Sequence, residues 1–573
     1  MKKSLLLLFI GYILLGCTVK KEDVGVTTYC NPMDLSYRFC MDEPSRREAA
    51  DPTMVQFKDR FYLFASKSGG YWHSVDLKQW EFIETNQIPV EEYAPTAVAI
   101  GDTLYFLASS GTKSTIYQSV DPLSGEWTVA LEELQQAVWD PAFLLDDDGR
   151  LYLYWGCSDH RPLMGVEVDY RKRFAFIGEP VELKHQDPDQ LGWEVPGDYN
   201  TNINNKPWIE GAWVNKHKGK YYLQYSGPGT EFKSYADGVY VADQPLGPYK
   251  LQAHNPFAYK PEGFAAGAGH GNTFMDDYGN YWHIGTMTIS QKHMFERRLG
   301  LFPAFFDKDG TMYSITRFGD YPLMIPDKKI NSFEDIFLGW MLLSFEKEVK
   351  VSSSIDSLPA THMTDENIRS YWSAATGDAG EYALLDLGEA CDVYALQLNF
   401  AEHWTTVLGR VKGLAHRYTV EYSNDGKEWS MLVDKSKNDT DNSHVYLQLP
   451  EMVSCRYLKL TNIEVPDGHF AISGFRVFGH GNGELPAEVA GLKVVRDSAD
   501  KRRVHLSWRK TDEATGYMIS YGVDKHKMYH HYMLYQDTTL TINSLNAGLD
   551  YYFSIEAFNE NGIGKRTGQV KAD

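Results

Sequence analysis

Asp59-Arg-Phe-Tyr-Leu-Phe-Ala-Ser66 is a turn residue leading into an aromatic-rich strand, and the pattern recurs. Asp102-Thr-Leu-Tyr-Phe-Leu-Ala-Ser109, Gly149-Arg-Leu-Tyr-Leu-Tyr-Trp-Gly156, Gly219-Lys-Tyr-Tyr-Leu-Gln-Tyr-Ser226 and Gly279-Asn-Tyr-Trp-His-Ile-Gly-Thr286 repeat it at intervals of 43, 47, 70 and 60 residues. Each copy follows another short apolar strand ending in Lys, Asp or Gly, so the repeating unit is a hairpin. Hairpins repeated between polar insertions are the mark of propeller blades, and five copies predict five blades.

The innermost strand of a blade starts at the propeller axis, so the residues one hairpin arm upstream of each copy should converge there. Counting back 11 or 12 residues from the Tyr or Trp of each copy lands on Asp51, Ala94, Asp140, Glu210 and His270. Three are carboxylates, each at a strand start before a small residue or Pro: Asp51-Pro52, Asp140-Pro141 and Glu210-Gly211. One Asp before Pro is an ordinary turn residue. Three acids in register within otherwise apolar strands are expensive to bury without a role, which points to paired acid and base chemistry.

The chain has 573 residues, too many for one core, and 14% aromatic content without helical spacing favours an all-β protein of several domains. A formal net charge of -21 argues against nucleic acid and anionic membrane surfaces as partners and suits a neutral substrate. Lys2-Lys3, an apolar run from Leu5 to Leu15 and Leu14-Leu15-Gly16-Cys17 look like a lipoprotein signal peptide over residues 1–17, with Cys17 as the lipidation site. The expected address is the cell envelope, at the outer membrane, facing the periplasm or the surface, held by lipid alone. Of the other cysteines, Cys30 with Cys40 and Cys391 with Cys455 are candidate disulfides, and none has zinc-site spacing.

Ala50-Asp51-Pro52, Ala94-Pro95, Trp139-Asp140-Pro141 with Asp146-Asp147-Asp148-Gly149, Ile209-Glu210-Gly211-Ala212 and Gly269-His270-Gly271 together resemble glycoside hydrolase family 43. The resemblance implies Asp51 as general base, Glu210 as general acid and Asp140 as the residue that keeps the acid protonated and orients the sugar. Inverting hydrolysis requires the acid and base about 6.5–9.5 Å apart with a water between them. It also implies a role for His270 at an axial calcium ion or water network, and for Arg297 or Arg298 against the sugar. Tyr93, Trp139, Trp208 and Trp213 flank the axial positions and are candidates for stacking on a sugar, although Trp208 and Trp213 also suit blade packing. The polar insertion from Pro196 to Lys206 is expected on the pocket rim, which favours exo cleavage.

The expected propeller spans residues 27–343, closed by Gly339 to Ser344. Tyr371-Trp372-Ser373, Leu385-Asp386-Leu387-Gly388, Tyr418 to Lys427 and Arg456 to Leu460 resemble a discoidin (F5/8 type C) β-sandwich over 345–480, whose His403, Trp404, His416, His469 and Phe470 are candidate glycan contacts. Residues 486–573, with Val504-His-Leu-Ser-Trp508 and Tyr551-Tyr552, resemble a fibronectin type III sandwich. The expected function is an inverting, monomeric exo-glycosidase releasing a terminal pentose, α-L-arabinofuranose or β-D-xylose, from plant cell-wall polysaccharide. The alternatives are a galactofuranosidase or galactosidase of the same fold, or a glycan-binding lipoprotein without activity.

Overall fold

The computed structural model describes residues 25–573, so the signal-peptide motif and Cys17 lie outside the described residues. The described chain is β-structure joined by loops, with only short 3-10 turns. Five antiparallel sheets follow one another in sequence, each contributed by one contiguous segment: Ala50–Glu84, Thr96–Leu131, Ala142–Lys184, Glu210–Tyr259 and Ala266–Ser314. These are the five blades the repeat predicts, and the quoted signatures form the second strand of each, at Arg60–Ser66, Thr103–Leu107, Leu151–Trp155, Lys220–Gly227 and Tyr281–Thr288.

The aromatic residues of the signature explain its recurrence. They alternate between the two faces of a blade and meet the next blade's copy; Phe64 of the first blade packs on Phe106 of the second at 5.4 Å between ring centroids, beside the buried Trp127. The ring is completed by the segment before the first blade: Met33 N donates to Leu299 O, and Asn31 exchanges hydrogen bonds with Leu301 in the fifth blade.

The second module is a β-sandwich in which Ala471–His480 and His444–Glu464 flank Tyr382–Phe400. Met341–Leu342, expected to close the propeller, instead pair with Phe478–Gly479 of this module. The apolar pair follows its hydrogen-bonding partners in the second module. The third module is the expected two-sheet sandwich, with Trp508 and Tyr517 packed edge to face at 5.3 Å in its core.

All five cysteines among the described residues are free, which corrects both expected disulfides. Cys30 and Cys40 are committed to separate acceptors: Cys30 Sγ donates to Asp320 O at 3.2 Å and Cys40 Sγ to Glu48 Oε2 at 3.3 Å. Cys391 and Cys455 face one another across neighbouring strands as buried thiols, and Cys391 Sγ points to Glu389 O at 3.7 Å.

Candidate active site

At the axis the backbone itself is strained. Asp51, Ala94, Asp140 and His270 take positive φ values of 52°, 49° for Asp140, 45° for Ala94 and 39° for His270, and in the fourth blade the same role falls to Gly211 at 62°. Positive φ is uncommon outside glycine and clusters where function demands it. At Gly211 the glycine is required twice over, because a Cβ there would lie 2.6–3.0 Å from the His270 ring.

A hydroxyl from the preceding blade holds each strained residue in place. Ser66 Oγ accepts from Ala94 N at 2.8 Å, Ser109 Oγ from Asp140 N at 2.8 Å, Ser226 Oγ from His270 N at 2.5 Å and Thr286 Oγ1 from Asp51 N at 2.8 Å. These are the last residues of four of the five repeat signatures. The third signature ends in Gly156, and there the adjacent Cys157 reaches Glu210 instead, its Sγ donating to Oε2 at 3.2 Å.

The side chains converge on one cavity of about 460 Å³. Its polar floor is Asp51, Asp140, Glu210, His270 and Arg297, and its walls include Tyr93, Trp139, Trp208, Met294 and Phe295. Few fixed polar groups at the base of aromatic walls is how proteins build orienting sites for small ligands. Trp139 and Trp208 are each 46% exposed, so their rings remain available to a ligand.

Asp51 is buried, and burial alone would raise its pKa. The Arg297 guanidinium at 3.0 Å, His270 and the Ser66 hydroxyl at 2.6 Å overcome that and hold its carboxyl below the usual range. An ionised Asp51 is suited to accept a proton. Asp140 is pushed up to about 7, first by burial and then by the negative charges of Glu210 and Asp51, which His270 opposes. One ligand atom each from Asp140, Cys157 and Glu210 lie within 4.8 Å of one another, so two carboxyl groups share a small space in which keeping one proton relieves the repulsion. Tyr235 donates its hydroxyl proton to Glu210 Oε1. Cys157 is raised well above the ordinary thiol range by burial and by both carboxylates, so it stays a neutral donor rather than a thiolate ligand.

His270 stands between the acids, its Nδ1 3.3 Å from Asp51 Oδ1 and 3.8 Å from Asp140 Oδ2. Burial would lower its pKa, and the four carboxylates around it raise it instead. Calcium takes six to eight oxygens at 2.3–2.6 Å. The oxygens facing His270 belong to Asp51 and Asp140, which already accept from Arg297, Ser66 and Ser109. That donor set does not fit a resident calcium ion.

Two expected contacts belong elsewhere. Arg298 faces away from the cavity: on a strand, neighbours point to opposite sides, and while Arg297 reaches Asp51, Arg298 Nε donates to His444 Nε2 of the second module at 2.8 Å. Trp213 is absent from the cavity lining and takes its other expected role, packing partly buried against the core cluster of the third and fourth blades. The 196–206 insertion does not reach the rim either; Tyr199 lines a separate cleft with residues of both later modules, and Asp198 Oδ2 accepts from Arg369. Of the proposed contacts on the second module, His416 and Phe470 are buried, whereas Trp404 is 69% exposed and stacks on His403. Tyr235, Cys157, Thr230 and Glu48 are contributors the sequence reading missed; only the Ser and Thr endings of the signatures were open to it.

Residues 45–312 match the family described as glycosyl hydrolases family 43, residues 348–473 the F5/8 type C domain and residues 487–573 the fibronectin type III domain. Among curated proteins, the chain is 27% identical over 154 residues to a β-xylosidase of Xylanibacter ruminicola, spanning 23% of this chain and 42% of that protein. It is 27% identical over 270 residues to the β-D-galactofuranosidase xynD of Aspergillus niger (strain ATCC MYA-4892 / CBS 513.88 / FGSC A1513), covering 41% of this chain and 72% of that one. A solved structure titled only as a glycoside hydrolase aligns with a TM-score of 0.45 at 18% identity, over 75% of this chain and 97% of the other. The propeller thus belongs to glycosyl hydrolases family 43, and the chain continues behind it with an F5/8 type C and a fibronectin type III domain.

Proposed function

We propose that the protein is an inverting, exo-acting glycoside hydrolase that releases a terminal pentose, α-L-arabinofuranose or β-D-xylose, from plant cell-wall polysaccharide or its oligosaccharides. The observation that carries this reading is the convergence of Asp51, Asp140 and Glu210 on the floor of one aromatic-walled cavity, with Asp51 held ionised and a proton retained beside Glu210. Asp51 takes a proton from a water as that water's oxygen bonds to the anomeric carbon. The glycosidic C–O bond breaks as Glu210 delivers a proton to the departing oxygen, and the anomeric configuration inverts. Asp140 holds the proton reserve of the acid pair, and Arg297 keeps the base charged. A cavity that ends on the propeller's axial floor admits a chain end, in keeping with exo cleavage. Lipid attachment at Cys17 is part of the same proposal and places the enzyme on the cell envelope.

The test is a product screen of the chain from residue 18 on arabinose-, xylose- and galactose-bearing glycans, beside Asp51→Ala and Glu210→Gln, with the first-formed anomer followed by proton NMR. Release of one pentose by the wild type only, as the inverted anomer, is expected; the retained anomer refutes the mechanism. The similarity to a galactofuranosidase favours a second reading, release of galactofuranose, which the same screen detects. Glycan retention without release of any sugar favours a binding protein instead.

A further inference from the structure

The elements that anchor Asp51 are themselves anchored from outside the propeller. Arg47, fully buried four residues before Asp51, places its guanidinium on two carboxylates of the second module: Nε lies 2.7 and 2.8 Å from the two Glu402 oxygens, and Nη2 is 2.7 Å from Asp441 Oδ1. The Arg47 carbonyl accepts from Arg298 Nη1, and Arg298 Nε in turn donates to His444 Nε2 at 2.8 Å. His444 Nδ1 donates to Asn399 Oδ1 at 2.8 Å, so the ring is a neutral tautomer whose other nitrogen is free to accept. The chain neighbours of Arg47 and Arg298, namely Glu48 and Arg297, belong to the site itself. Glu48 Oε1 accepts from Arg297 Nη2 at 2.6 Å, Ala49 N donates to Arg297 O at 3.3 Å, and Arg297 Nη1 donates to Asp51 Oδ1 at 3.0 Å and to Thr230 Oγ1 at 3.1 Å.

We propose that the F5/8 type C module positions the base of the propeller: Glu402, Asp441 and His444 act through Arg47 and Arg298 to fix Arg297, and Arg297 fixes Asp51. The inference rests on the reading of Asp51 as the general base. It makes the second module part of the active-site scaffold rather than an appendage for holding glycan. Arg47, Glu402, Arg298 and His444 are buried and Asp441 is 17% exposed, so solvent and salt weaken these contacts less than they would a surface pair. A bidentate guanidinium fork sets direction as well as distance, which an ammonium does not reproduce. Displacing a catalytic group by about 1 Å is worth on the order of a hundredfold in rate, so small slack at Arg47 or Arg298 is enough to register.

The experiment uses the full chain with His444→Leu, which removes the acceptor for Arg298, His444→Gln, which restores one, and Arg47→Lys. Two readouts are taken: kcat and KM across pH on the released-sugar substrate, and hydrogen exchange of peptides covering Ala49–Thr53 against control peptides covering Ala142–Leu145. His444→Leu and Arg47→Lys are expected to lose about tenfold or more in kcat with KM within about twofold. The acidic limb of kcat/KM is expected to move to higher pH, because a base that loses its cation holds its proton more tightly. Exchange at Ala49–Thr53 is expected to quicken about tenfold while the control peptides are unchanged, and His444→Gln to recover most of both effects. Unchanged kcat, acidic limb and exchange in His444→Leu overturn the proposal. So does a loss that His444→Gln fails to rescue and that is accompanied by faster exchange in the control peptides, which marks a general loss of fold. If the wild type releases no sugar from any glycan, the hydrolase reading falls, and the exchange data alone decide whether the module fixes Asp51.

Discussion

Replacing Asp140 by Asn should make the protein more stable and nearly inactive at the same time. Burial and the neighbouring acids raise Asp140 from 3.8 to about 7, some three units. At 1.36 kcal/mol per unit this corresponds to up to about 4 kcal/mol. The sign follows from the proton balance. Below about pH 4 the carboxyl is protonated in the folded and unfolded chain alike, and it contributes nothing to the difference. Between about pH 4 and 7 the unfolded chain releases the proton while the folded one keeps it, so stability falls as pH rises; above about pH 7 the full penalty applies. Asn occupies the same space, can still accept from Ser109 Oγ and never ionises. Thermal unfolding of wild type and Asp140→Asn from pH 4 to 8.5 should therefore show coincident melting near pH 4 and a gap opening with pH, up to on the order of 10 °C at pH 8. Over the same range kcat should fall about a hundredfold or more through loss of the proton reserve beside Glu210. A gap of constant size across pH, or one that favours the wild type at pH 8, refutes the assignment of the raised group to Asp140.

Glu210→Gln should reduce kcat about 10²–10⁴-fold on natural glycosides but much less on aryl glycosides whose leaving group needs no proton, a contrast read by steady-state kinetics on both substrate types. Trp208→Ala, which removes an exposed wall of the cavity without touching the acids, should raise KM about 5- to 30-fold with little change in kcat. Iodoacetamide at pH 7 should modify Cys157 far more slowly than a free thiol, because burial and the two carboxylates keep it protonated; rapid inactivation that substrate prevents would contradict the neutral thiol. Reduction with dithiothreitol should leave the melting temperature unchanged, as the five described cysteines are free.

The blade repeat and its axial acids were legible because both obey a fixed offset: the signature dictates a strand, and the strand start dictates the axis. Tyr235 and Cys157 were not legible, since they reach Glu210 from positions that are out of register with the repeat and gain meaning only once neighbouring blades are side by side. The choice between Arg297 and Arg298 turned on which face of one strand meets the cavity and which meets the second module, a matter of tertiary neighbours. Trp213 suited either a sugar or blade packing, and only the neighbouring blade decides for packing. The 196–206 insertion was read as rim because polar loops near a strand start usually are; its partners, Arg369 and Asn543, lie more than a hundred residues away in modules whose docking no local pattern encodes.

The hydroxyl ring also spreads the parts of the site along the whole length of the propeller. Asp140 and Glu210 stand on the third and fourth blades, and Ser109, which holds the Asp140 amide, leaves the ribosome before either. Asp51 is made before both, yet the hydroxyl that holds its amide belongs to Thr286 and the cation that holds its charge to Arg297, both from the fifth blade. The first four blades therefore hold the proposed acid pair but lack the groups that set the proposed base. The proposed base is complete only once the last blade has met the first and the second module has closed on Arg47 and Arg298.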